Sequence, residues 1–240
     1  MLVEVCANSL ESAVNAEKAG ADRIELCTEL GVGGITPSYG LLQEVRKKIS
    51  IPVHVLIRPR SGDFNYTDIE FEIMKKDIAL CVELGFNGIV SGVLQKDFMP
   101  DMERTQKLIH LATPLKFTFH RAFDWVTDPL EALGQLELSG VNYILTSGQQ
   151  KSAFKGMSLL SELNKKALKC VILPGGGIRG NNVLQFKDRG FKAIHLSGAE
   201  HIKTLDQKPK IPMNSPALLQ EDAIAMTQTE TIRDIVRLVK

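Results

Sequence analysis

The feature that most constrains this chain is an eightfold alternation. Short apolar, β-branched runs recur along it, and each is followed by a segment with helical periodicity. LVEVCA precedes an amphipathic run from Leu10 to Ala19, with Ser9 as its N-cap and Gly20 as its stop. RIELCT leads through GVGGITPS to a helix from about Tyr39 to Ile49. PVHVLIRP precedes one from about Thr67 to Leu84, and GIVSGVL one from about Met102 to Leu111. KFTFHRAF precedes about Pro129 to Leu138, YILTSG about Met157 to Lys166, and CVILPGGGI about Asn182 to Lys187. AIHLSG comes last, with a final helix from about Glu230 to Val239. Eight βα units in 240 residues predict a closed (βα)8 barrel of the TIM type, one domain over residues 1–240. An open doubly wound sheet is the alternative. The regular spacing and the unbroken composition favour the barrel. Residues 199–229 interrupt the rhythm and predict an irregular insertion before the last helix, of the kind that carries function or meets another subunit.

Residues two apart in a strand share a face. The helix-facing set reads Val3, Val5; Ile24, Leu26; Val53, Val55, Ile57; Phe117, Phe119; Ile194, Leu196. The opposite phase then lines the barrel: Glu4, Cys6; Glu25, Cys27; His54, Leu56, Arg58; Thr118, His120; His195, Ser197. Most barrels fill that space with branched aliphatics. Buried unpaired glutamates would cost several kcal/mol each, so Glu4 and Glu25 need cations. Arg58, His54, His120 and His195 are the expected partners, in a network open to the C-terminal mouth. A polar core with only a structural role is the competing reading.

Four constellations carry chemistry. Cys6 and Cys27 end neighbouring strands, about 4.8 Å apart. Such a pair could hold Cu(I), with Arg58 favouring the thiolate, or simply pack as two small hydrophobes. In RPRSGDF, Arg58 and Arg60 flank a proline ahead of Asp63, a fork suited to carboxylate or phosphate. In HRAFD, His120 is a candidate acid or base, Arg121 an anion ligand, and Asp124 an orienting group for either. Gly175, Gly176 and Gly177 after the seventh strand, with Ser197 and Gly198 after the eighth, predict an anion cradle of backbone amides.

Absences narrow the field. A net charge of +1 speaks against a nucleic-acid coat or a membrane-surface protein. No apolar run approaches ~18 residues, so no membrane span is expected. The N-terminus opens directly on a strand without a basic leader, which predicts a cytoplasmic protein. Cys6, Cys27, Cys81 and Cys170 form no CxxC and are expected as free thiols. No lysine ends a strand, which disfavours a Schiff-base aldolase.

Together, VEVCANSLESAVNAEKAGADRIELC, GGITPS, IRPRSGDF, FHRAFD, LTSG and PGGGI resemble the CutC family, named for copper homeostasis, from Val3 to about Gly198. The resemblance implies a TIM-type barrel, a cytoplasmic location and a homodimer or higher homo-oligomer. It also implies that Cys6 and Cys27 stand at the positions proposed for Cu(I). The chain departs from the pattern at Val32, where an acidic residue is usual before Gly-Gly, and at Asp97-Phe98, where Asp-Gly is usual. Two functions follow as expectations. One is copper homeostasis with Cu(I) on the paired cysteines. The other is an enzyme for a small anionic or phosphorylated metabolite, with His120 as acid or base, Glu25 and Asp124 as partner carboxylates, and Arg58, Arg60 and Arg121 on the anion.

Overall fold

The computed structural model describes residues 1–207, 209–211, 213 and 221–240. Eight parallel strands run β1 (Leu2–Ala7), β2 (Arg23–Leu26), β3 (Val53–Leu56), β4 (Gly88–Ser91), β5 (Lys116–Phe119), β6 (Tyr143–Thr146), β7 (Val171–Pro174) and β8 (Ala193–Leu196). Each pairs with its predecessor through β7, and β8 returns to pair with β1. A parallel bridge between Gly175 and His195 joins the last two staves. The ring is therefore the TIM-type barrel that the alternation predicts, and the doubly wound alternative is set aside.

Seven helices fill the crossovers: α1 (Leu10–Lys18), α2 (Tyr39–Lys48), α3 (Asp68–Glu83), α4 (Met102–Ala112), α5 (Pro129–Leu138), α6 (Met157–Lys166) and α7 (Val183–Asp188). After β8, α8 (Thr229–Val239) completes the jacket. The starts are written in the sequence. Ser9, Ser38, Thr67, Asp101 and Asp128 each accept a hydrogen bond from an otherwise unpaired first-turn amide. Thr67 and Glu70 satisfy each other's amides in a capping box. At the other end of α1, Gly20 takes φ +89°, a conformation costly for any residue with a Cβ.

The helix-facing phase holds throughout: Val3, Val5, Ile24, Leu26, Val53, Val55, Ile57, Phe117, Phe119, Ile194 and Leu196 all join one buried cluster with the inner faces of the helices. The other phase points inward, as expected, but the lumen is divided. Leu145, Leu173 and Ala193 make an apolar side; Glu4, Arg23, Glu25 and His54 are buried as the polar one.

The expected irregular insertion is corrected at both ends. β9 (Ala199–Lys203) and β10 (Ala223–Thr227) pair as an antiparallel ribbon; the rest of that stretch lies partly outside the described residues. The ribbon docks on α1. Asn8 Nδ2 donates to Ala225 O, Asn15 Nδ2 donates to Thr227 O, and Thr227 N donates to Ser12 Oγ. Among the described residues, no helix is long and apolar enough to cross a membrane.

Candidate functional site at the barrel mouth

The site begins at the bottom of the lumen. Glu4 is fully buried, and its carboxylate accepts from Arg23 Nε at 2.5 Å and from His195 Nδ1 at 2.8 Å. Burial works against that charge, but Arg23 and His195 overcome it and bring Glu4 down to about 2. Arg23 in turn lies 4.0 Å over the Tyr143 ring. Arg23 has the same strand phase as Glu25 and Cys27, and that parity is the signal that could have found it. Burial beside Arg23 takes His54 down to about 3, so it is a neutral neighbour rather than a counter-ion.

One step up, Glu25 Oε2 lies 3.7 Å from His195 Nδ1, and Oε1 lies 3.8 Å from Cys6 Sγ. Burial pushes Glu25 up to about 7, even though His195 pulls the other way. Burial opposes charge on His195 too, and the Glu25 and Glu4 carboxylates hold it well above the ordinary histidine value. Cys6 Sγ meets Cys27 Sγ at 3.4 Å. The hydrogen bond to Cys27 and burial raise the Cys6 thiol well above its usual range. Ligand atoms of Cys6, Glu25 and His195 all lie within 4.8 Å of one another, a set with the reach to hold a metal ion. The strand phase predicts His195 as a partner for the glutamates and not as a metal ligand.

Arg58 does something other than what the strand pattern predicts. It stands past the end of β3, too high for the glutamates. Its Nη1 donates to Val32 O and Gly34 O at 2.8 and 2.9 Å, and its Nη2 to Gly62 O at 2.8 Å. It ties the loop after β2 to the loop after β3, and it does not bear on Cys6 as a thiolate-stabilising charge. Gly34 then comes down on Cys27: a Cβ there would stand 2.7 Å from Leu56 and 3.3 Å from Cys27. That is why Cys27 is fully buried while Cys6 reaches the cavity. Val32, one of the departures from the family pattern, supplies a carbonyl to this lock.

Above Cys6 the barrel opens into a cavity of about 1200 Å³. His120 lines it. Its Nδ1 accepts from Ala122 N at 3.2 Å, which leaves the proton of the neutral ring on Nε2. Nε2 is buried and has no partner among the described residues. Burial and the Arg58 charge lower His120 to about 3. The ring is therefore neutral, with Nδ1 already engaged. Asp124 does not touch His120. It accepts from Arg121 Nε at 2.8 Å, Thr146 Oγ1 at 2.5 Å and Ser147 N at 2.9 Å, joining the loops after β5 and β6.

Arg121, Gly176, Gly177, Ser197 and Gly198 line the cavity as expected, joined by Arg179, which the motif reading left out. Gly175 is spent in the sheet: its amide donates to Thr146 O at 3.0 Å, and it pairs with His195. Arg60 lies outside the cavity, donating to Glu70 at 2.5 Å and to Asp63 at 3.1 Å. On the opposite wall Phe64 packs edge-on to Trp125 at 4.9 Å. Phe98, the other departure, reaches Trp125 at 6.3 Å.

The comparisons bear on the fold and the family. The model of the CutC family matches residues 1–200. A family protein CutC from Salmonella paratyphi A is 49% identical over 196 residues, covering 82% of this chain and 79% of its own. A solved structure from Streptococcus agalactiae, described as a candidate copper homeostasis protein CutC, superposes with a TM-score of 0.78 at 33% identity, over 82% of this chain and 98% of that one. A thiamine phosphate pyrophosphorylase from Pyrococcus furiosus shares the fold alone, with a TM-score of 0.59 at 14% identity, over 99% of this chain and 95% of that one. On the family model and these relatives, the chain belongs to the CutC family.

Proposed function

We propose that this protein serves copper homeostasis by holding Cu(I) between Cys6 and Cys27 at the base of the cavity. The 3.4 Å separation of the two sulfurs carries the reading. Soft monovalent copper takes thiolates at low coordination. With metal–thiolate bonds of about 2.3 Å, as for zinc, two coordinating sulfurs stand roughly 3.5–4.5 Å apart, a small rotation from the present pose. Glu25 and His195 flank Cys6 and would steady the loaded site. Both thiols must shed protons, so uptake releases acid and tightens as pH rises. All four cysteines are unpaired, which suits work in a reducing cytoplasm. Anaerobic Cu(I) titration should show one tightly bound equivalent in the wild type and its loss in Cys6→Ser/Cys27→Ser, with far-UV circular dichroism unchanged. Equal stoichiometry and affinity in the folded double variant would overturn the assignment.

A second reading is favoured by Glu25, a carboxyl pushed up to about 7 and lining the cavity. Such a group both accepts and gives up a proton near neutral pH. On this reading the cavity holds a small anionic molecule, Glu25 exchanges its proton, and His120 donates Nε2–H to an oxygen. His120 as acid or base gives way to His120 as donor, because its Nδ1 is already committed to a backbone amide.

A further inference from the structure

We infer that the wall of the cavity formed by the loops after β7 and β8 binds the phosphoryl group of a small phosphomonoester. This deepens the small-anion reading of the same cavity and is independent of copper. Gly176 and Gly177 take φ +100° and +75°, and Gly198 takes +54°. These turns give a loop backbone the left-handed bends that make an amide nest. The Gly176 amide turns to His195 O in the bridge between the last two staves, whereas those of Gly177 and Gly198 donate to nothing among the described residues. The Ser197 hydroxyl stands beside them.

Two cations face the same wall. Arg121 spends Nε on Asp124 and Nη2 on Ser147 and keeps Nη1 without a protein acceptor beside Gly176; a Cβ on that glycine would lie 3.7 Å from both Cζ and Nη1 of Arg121. The Arg179 guanidinium has no hydrogen-bond or ion-pair partner among the described residues. α8 also begins here. Its N-cap, Gln228, makes no side-chain cap, its amide donates to Gly198 O, and Thr231 of its first turn lines the cavity.

The cradle offers amide, hydroxyl and guanidinium donors on several sides, a surplus that suits the three oxygens of a phosphoryl group better than the two of a carboxylate. The ester's organic part then extends toward Glu25 and the Phe64 wall.

The test is calorimetric titration of the full chain with inorganic phosphate, glycerol 3-phosphate and lactate, at matched ionic strength. Glycerol 3-phosphate and phosphate should bind, and lactate should not. Arg179→Ala removes a side chain without partners and should weaken both phosphates at least tenfold, with an unchanged melting temperature. Absence of phosphate binding to the wild type, or equal binding by Arg179→Ala, overturns the inference. Lactate binding without phosphate binding would also overturn it, while leaving the small-anion reading in place.

Discussion

Two inward carboxylates on neighbouring staves are driven in opposite directions from the ordinary carboxylate value. Glu4 has Arg23 and His195 in contact and stays ionised; Glu25 shares only His195, at longer range, and is pushed up to about 7. The difference is one arginine. Replacing Arg23 with Met removes the partner at 2.5 Å and leaves a fully buried carboxylate with His195 alone. Breaking such a pair from one side costs about 3–5 kcal/mol. Chemical denaturation of Arg23→Met should show a loss of that order, and adding Glu4→Gln should recover part of it. An Arg23→Met variant as stable as the wild type would remove the pair from the account of this core. The inward direction of Glu4, Cys6, Glu25 and Cys27 was legible from period-two spacing alone. Which cation meets which acid was not. Phase fixes the face of a strand but not the register between neighbours, and register is what puts Arg23 directly beside Glu4 while Arg58 stands past the end of its strand, out of reach.

At the scale of elements, the caps and the periodicity agree, and so the helices fall within one residue of their expected bounds and the strands begin within one residue of theirs, while the quoted runs pass the strand ends by up to four residues. The ribbon of β9 and β10 was hidden because its strands, AEHIK and AIAMT, carry little of the β-branched alternation that marks a buried stave. Their order comes from pairing with each other and from three hydrogen bonds to the start of the chain. The short 3₁₀ turn over Arg121–Trp125 was equally silent, and it is what commits His120 Nδ1. The entry to α3 shows what Arg60 does instead of binding an anion. Glu70 accepts from Thr67 N at 2.7 Å and from Arg60 Nε at 2.5 Å, so one carboxylate closes the capping box and anchors the loop after β3. Thr67→Ala should cost about 1 kcal/mol in thermal unfolding. It should also speed amide exchange over residues 60–66, with the barrel strands unaffected. Exchange unchanged in that loop would separate the cap from the loop's order.

Over the whole molecule the buried groups set a pH profile. His54 and His120 are neutral in the fold down to about 3, whereas their unfolded counterparts charge below 6.5. Stability from these two is present above pH 6.5 and falls as pH drops. Glu25 acts in the opposite sense between 4.5 and about 7, because the fold keeps its proton. Between pH 4.5 and 6.5 the unfolded chain thus binds one more proton than the folded one, worth about 1.4 kcal/mol per pH unit. Below 4.5 Glu4 joins the histidines and the loss steepens. Above 6.5 His195, held charged in the fold, and Glu25 up to about 7 both make stability decline. Melting temperature should therefore peak near pH 6.5, fall gently toward 4.5 and sharply beyond. A midpoint that climbs steadily from pH 5 to 9 would contradict this balance.

Glu4 and His195 lie 191 positions apart, yet they are bonded on adjacent staves, and the ribbon after β8 grips the helix after β1. A ribosome therefore releases the first stave long before its neighbour exists. Throughout synthesis one carboxylate waits with half of its complement, and the nascent sheet keeps a raw margin. The circle is sealed only when the eighth stave has emerged, and until then the seam beside Glu4 is an unpaired, charged edge.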